Sequence, residues 1–136
     1  MWLRRLLPLL SLCGLVVASS PVARASPSGT SAVRVNGVRL SPAQRGRLGR
    51  LIGTRIPPGR YWYDRRSGLY GEMGGPALGQ LRPGLPVPGE LSARASRGRA
   101  GRATGIFWNG REVHPKEAAL WATLVGPAAR GRFWLA

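Results

Sequence analysis

Val33-Arg34-Val35-Asn36-Gly37-Val38-Arg39-Leu40-Ser41-Pro42-Ala43-Gln44 alternates apolar and charged residues on both sides of an Asn-Gly pair, then passes into Ser-Pro-x-Gln. A period of two marks a half-buried strand. Asn and Gly both accept the positive φ of a type I′ turn, so Asn36-Gly37 predicts a hairpin. Ser41 before Pro42, with Gln44 three residues on, predicts a helix start. Leu48, Leu51 and Ile52 then fall at i, i+3 and i+4 and make one apolar stripe, with Arg45, Arg47 and Arg50 off it. Gly53 is a natural stop. Pro57-Pro58-Gly59 turns the chain into Gly59-Arg60-Tyr61-Trp62-Tyr63-Asp64-Arg65-Arg66-Ser67-Gly68-Leu69-Tyr70-Gly71, the densest aromatic run. It reads as a strand, a tight turn at Ser67-Gly68 and a second short strand.

The same plan recurs 73 residues later. Ile106-Phe107-Trp108, Asn109-Gly110 and Arg111-Glu112-Val113 match the hairpin, and His114-Pro115-Lys116-Glu117 matches the helix start. Trp121, Leu124 and Val125 match the stripe, and Gly126 matches Gly53. After one deletion the offset is 72, and Gly131-Arg132-Phe133-Trp134 falls on Gly59-Arg60-Tyr61-Trp62. The expectation is an internal duplication over 33–71 and 106–135. Between the copies, Gly71 to Leu85 is rich in Gly and Pro but keeps regular apolar residues, which suits short strands and turns over a core edge. Residues 92–104 include no large apolar side chain up to Ala103 and read as a mobile basic loop. The predicted fold is a small α+β domain of two hairpin–helix–strand units joined by a Gly/Pro/Arg-rich loop. Their helical stripes and aromatic strands are expected to pack against each other, with Trp62, Trp108, Trp121 and Trp134 supplying much of the burial.

Before the first unit, Arg4-Arg5, an apolar run from Leu6 to Val17 and Ala23-Arg24-Ala25 read as a cleavable export signal over 1–25. Residues 26–31 read as a polar linker and 32–136 as one domain. The single cysteine, Cys13, lies inside the apolar run, which leaves no disulfide and no cysteine metal site in the remainder. Removing 1–25 takes Arg4, Arg5 and Arg24 from the 21 basic residues, leaving 18 against 5 acidic ones and a net charge of +13. Such a charge suits a polyanionic partner. An equally consistent reading is compositional, since every basic residue except Lys116 is Arg and Ala, Gly and Pro are abundant.

The strings at Gly59–Gly71, Gly74-Gly75-Pro76-x-x-Gly79, Pro83-Gly84-Leu85 and Asn109-Gly110-Arg111-Glu112-Val113-His114-Pro115 resemble those of a family of uncharacterised bacterial secreted or envelope proteins. The resemblance spans Val33 to Trp134. It implies a bacterial, periplasmic or otherwise secreted protein, and it implies no activity.

Few groups here can do chemistry. After residue 25 there are one His and five carboxylates. His114 and Glu117 occupy helix-start positions, and Glu90 reads as a loop charge. Asp64 and Glu72 flank the Ser67-Gly68 turn and could face each other across the hairpin, which is the basis for a small hydrolase using Asp64, Glu72 and His114. Against it, Arg60, Arg65 and Arg66 would keep carboxylates ionised, and Asp64 suits its own turn as a backbone acceptor. There is no nucleophile elbow, and no glycines have phosphate-loop spacing. Tyr61 and Tyr63 should point to one face of the strand and Trp62 to the other. The second unit has no counterpart of the Asp64–Tyr70 hairpin within these 136 residues. The leading expectation is therefore an exported non-enzymatic protein without a cofactor. It would bind an anionic envelope polymer or membrane surface through Arg60, Tyr61, Tyr63, Asp64, Arg65, Arg66 and Tyr70. The export signal argues against intracellular nucleic acid. The other alternative is a structural or assembly module whose aromatic strand edges pair with another chain.

Overall fold

The computed structural model describes residues 31–98 and 101–135. The export signal read over 1–25 lies outside the described residues.

Asn36 and Gly37 take φ of 49° and 84°, and the chain folds back as β1 (Val33–Val35) and β2 (Val38–Arg39), paired Val35 to Val38. Ser41 then caps α1 (Pro42–Ile52). Its Oγ accepts the Gln44 N–H at 3.2 Å, while Gln44 Oε1 accepts the Ser41 N–H at 2.8 Å, so two otherwise orphaned donors are met. Gly53 ends the helix in the left-handed region at φ 74°. The chain returns as β3 (Gly59–Tyr63), parallel to β1 with Val33 opposite Gly59 and Val35 opposite Tyr61. β4 (Leu69–Glu72) turns back antiparallel on β3, and β5 (Ala77–Gln80) follows it. The first sheet runs β2-β1-β3-β4-β5.

The second unit makes the same moves. Asn109 and Gly110 take φ of 49° and 88° between β6 (Ile106–Trp108) and β7 (Arg111–Glu112). His114 Nδ1 accepts the Lys116 N–H at 3.1 Å at the start of α2 (Pro115–Val125), and Glu117 Oε2 accepts the His114 N–H at 3.2 Å. β8 (Gly131–Phe133) lies parallel to β6, with Ile106 opposite Gly131 and Trp108 opposite Phe133. Among the described residues this sheet runs β7-β6-β8. The result is a small α+β domain of two mixed sheets and two helices, with one pairing scheme in both units.

The main hydrophobic cluster lies on the first sheet. Val33, Val35, Leu40, Leu48, Tyr63, Leu85 and Val87 form it, flanked by Ile52, Ile56, Tyr61, Tyr70 and Leu81. In the second unit Ile106 and Val113 are buried. Leu81, Leu85 and Val87 come from the Gly/Pro-rich stretch after β5, so that stretch covers the space between α1 and the sheet. Two expectations fail. The helical stripes do not pack against each other: Leu48 and Ile52 of the α1 stripe enter the core beside their own sheet while Leu51 is exposed, and Trp121, Leu124 and Val125 of α2 are exposed. Of the four tryptophans expected to supply the burial, only Trp62 is fully buried.

The basic stretch expected to be mobile is packed where it begins. Ala95 and Ser96 are buried, the Ala95 carbonyl accepts the Gly74 N–H at 2.6 Å, and the Ala93 carbonyl accepts the Glu112 N–H at 2.8 Å. Arg97 pairs with Glu112 at 3.3 Å. The small side chains of this stretch alone predict too little burial to order it. Here they fit between the units, where backbone hydrogen bonds do the anchoring.

Candidate functional site

Two polar junctions, one at Asp64 and one at Arg111, hold the units together. In each unit the turn asparagine extends the parallel pairing beyond its strand. Asn36 accepts the Tyr63 N–H at 2.9 Å and donates to the Tyr63 carbonyl at 3.0 Å. Asn109 does the same to Leu135, at 2.8 Å both ways. Asn109 Nδ2 also donates to Asp64 Oδ2 at 2.6 Å. Asp64 is buried and accepts the Arg66 N–H at 3.0 Å and the Ser67 hydroxyl at 2.5 Å as well. Its carboxylate is thus committed to its own turn and to the second unit.

The second junction is Arg111. Its guanidinium makes a two-pronged pair with Glu117, at 2.8 and 3.0 Å, and donates to Ser96 Oγ at 2.5 Å. It also lies 4.1 Å over the Trp62 ring. Arg111 is 1% exposed, so the pair, the hydroxyl and the aromatic face together replace its hydration.

The seven residues expected to form a binding face fall into three environments. Tyr63 and Asp64 are buried, and the Tyr63 hydroxyl donates to the Arg82 carbonyl at 2.5 Å and accepts the Leu85 N–H at 3.2 Å. Tyr61 and Tyr70 are half-buried and line an apolar cavity of about 200 Å3 beside Ile52, Ile56 and Leu81. Arg60, Arg65 and Arg66 face solvent, and the Arg66 guanidinium sits 4.7 Å over the Trp134 ring. Tyr61 and Tyr63 do share one face, with Trp62 on the other against Arg111.

Asp64 and Glu72 do not face each other. Glu72 stands opposite Tyr61, three residues along β3 from Asp64, a separation of roughly 10 Å along the strand. His114 caps α2. Among the described residues no group of three or more His, Cys, Asp or Glu side chains could hold a metal ion.

The surface that stands out is in the second unit. Val33 and Leu40 and their counterparts Ile106 and Val113 are all buried, and Leu51 and its counterpart Leu124 are both exposed, but three other matching positions are treated differently in the two halves. Leu48 is 8% exposed, and its counterpart Trp121 is 40% exposed. Ile52 packs against the core, and its counterpart Val125 is 73% exposed. Tyr61 borders the core, and its counterpart Phe133 is 41% exposed. Trp121 meets Trp108 edge to face at 5.4 Å, and Leu124 extends the patch. The cause is topological. In the first unit β4, Tyr70, Leu81, Leu85 and Val87 cover this face, and among the described residues nothing equivalent follows β8. Sequence reading missed this surface, although the signal lay in the 73-residue offset, which pairs Trp121 with Leu48 and Val125 with Ile52.

The chain is similar to two Arabidopsis thaliana proteins. Extra-large guanine nucleotide-binding protein 1 is 36% identical over 107 residues, which is 76% of this chain and 12% of that protein. Extra-large guanine nucleotide-binding protein 2 is 32% identical over 85 residues, 60% of this chain and 9% of that protein. The chain thus spans about a tenth of the length of the curated relatives it matches. No family model and no solved structure matches it. These relatives correct the expected family: they are plant G proteins, not bacterial envelope proteins. The descriptions bacterial, secreted and periplasmic fall with it. So does the anionic envelope polymer or membrane surface as partner, which was expected of an envelope protein and not of plant guanine nucleotide-binding proteins. The hydrolase built on Asp64, Glu72 and His114 falls too, on the geometry above.

Proposed function

We propose that this chain is a non-catalytic protein-interaction domain of the kind a multidomain G protein carries beside its other parts. The observation that carries the reading is the uncovered half-core of the second unit: Trp121, Leu124, Val125 and Phe133 form an exposed apolar face on a sheet and helix otherwise built like the covered first unit. Exposed apolar clusters of this kind mark contact surfaces. The likeness to proteins many times longer supports a module rather than a complete machine. Guanine nucleotide binding belongs to those proteins by name, and this chain has no glycine–lysine phosphate loop of its own.

Proximity labelling with the wild-type chain and with a Leu124→Glu, Val125→Glu variant tests it. The variant should keep its circular dichroism and lose the proteins captured by the wild type. Identical captured sets, or guanine nucleotide binding by the chain itself, would overturn it.

A further inference from the structure

The exposed face ends at a sheet edge, and the first unit shows what such an edge accepts. β8 pairs with β6 through the Gly131 N–H, which donates to Gly105 at 2.9 Å, and the Phe133 carbonyl, which accepts the Asn109 N–H at 2.9 Å. Backbone groups alternate along a strand, so those of Arg132 and Trp134 point to the outer edge. Their counterparts are Arg60 and Trp62. There the Arg60 carbonyl accepts the Met73 N–H at 2.9 Å, and Trp62 stands opposite Gly71.

We infer that β8 takes an added antiparallel strand from a partner protein, one that presents an aromatic, a small and an acidic residue in sequence. This rests on the interaction-domain reading and specifies its occupant. The chemistry is read off β4. Tyr70, Gly71 and Glu72 stand opposite Tyr63, Trp62 and Tyr61. Transferred to β8, the aromatic residue falls opposite Leu135, the small one opposite Trp134 and the acidic one opposite Phe133. A small residue is needed beside a tryptophan: a Cβ on Gly71 would lie 2.7 Å from the Trp62 ring. The acidic residue suits the charge of the edge, where Arg130 and Arg132 are exposed and Arg66 stands over Trp134. Apolar residues following the strand would fill the face as Leu81, Leu85 and Val87 do in the first unit. A second copy of the chain is disfavoured, because it would set Arg130 and Arg132 against each other on a chain of net charge +16. Strand addition of this type draws affinity from the main chain and specificity from alternate side chains.

The test uses the full chain and a synthetic peptide copying residues 67–87, with a second peptide carrying Glu72→Arg. Amide hydrogen exchange is followed residue by residue. The Trp134 amide should slow by about tenfold or more with the first peptide and much less with the second. Trp134→Pro should weaken binding by about tenfold, while Trp134→Ala, which loses the side chain but keeps the N–H, should hold within roughly threefold. Protection confined to α2 would overturn the strand and leave the apolar face as an interface. Protection that rises with chain concentration alone would overturn it in favour of a second copy. No protection anywhere, together with identical labelling by the Leu124→Glu, Val125→Glu variant, would remove both readings.

Discussion

The Asn109 side-chain amide donates to Asp64 Oδ2 at 2.6 Å, so one hydrogen bond ties the hairpin turn of the second unit to the exit of β3 in the first. Asn109 also clamps Leu135, while Asp64 holds the Arg66 N–H and the Ser67 hydroxyl. The relative placement of the two units therefore runs through a buried carboxylate with three donors. Asp64→Ala is expected to lower unfolding stability by roughly 2–3 kcal/mol, because it leaves buried donors without an acceptor. In a double-mutant cycle with Asn109→Ala, measured by urea unfolding, the coupling should lie at about 0.5–3 kcal/mol. Strict additivity would show that the contact does not join the units.

The second junction gives a different signature. Arg111→Met strands Glu117 without its partner inside the protein and is expected to cost about 3–5 kcal/mol. Adding Glu117→Gln neutralises the stranded charge and keeps an acceptor for the His114 N–H. The double variant should recover much of the loss in the same urea experiment.

Glycine at position 71 is set by contact. A Cβ there would collide with the Pro76 carbonyl and press on the Trp62 ring. Gly71→Ala should therefore destabilise by roughly 1–3 kcal/mol through overpacking. The near-ultraviolet circular dichroism of the buried Trp62 should change with it.

The local plan of the fold was legible because its signals are local. Asn36-Gly37 and Asn109-Gly110 do take positive φ, Ser41-Pro42-x-Gln44 does cap a helix, and Ser67-Gly68 does close the turn before β4. The reading of Asp64 as a backbone acceptor in its own turn found one of its three donors, the Arg66 N–H, and not the Ser67 hydroxyl. Its third, Asn109, could have been suspected from the matching Asn36, whose amide spans to Tyr63. What covers each apolar stripe was not legible. That depends on residues 81–87 and 93–97, which have no strand or helix period. Ala95 and Ser96 are buried by position rather than by hydrophobicity. Residue type alone predicts burial of Trp108, Trp121 and Trp134, yet among the described residues a covering segment follows only the first unit.

The central claim is that the α1 stripe is covered at Leu48 and Ile52 while the α2 stripe is open at the matching Trp121 and Val125, and equilibrium unfolding of variants on the two helices tests it directly. Leu48→Ala, in the covered core, should cost about 2–5 kcal/mol. Val125→Ala and Leu124→Ala, on the open face, should each stay within roughly 0.5 kcal/mol of wild type. Losses at Leu124 and Val125 as large as that at Leu48 would contradict the account.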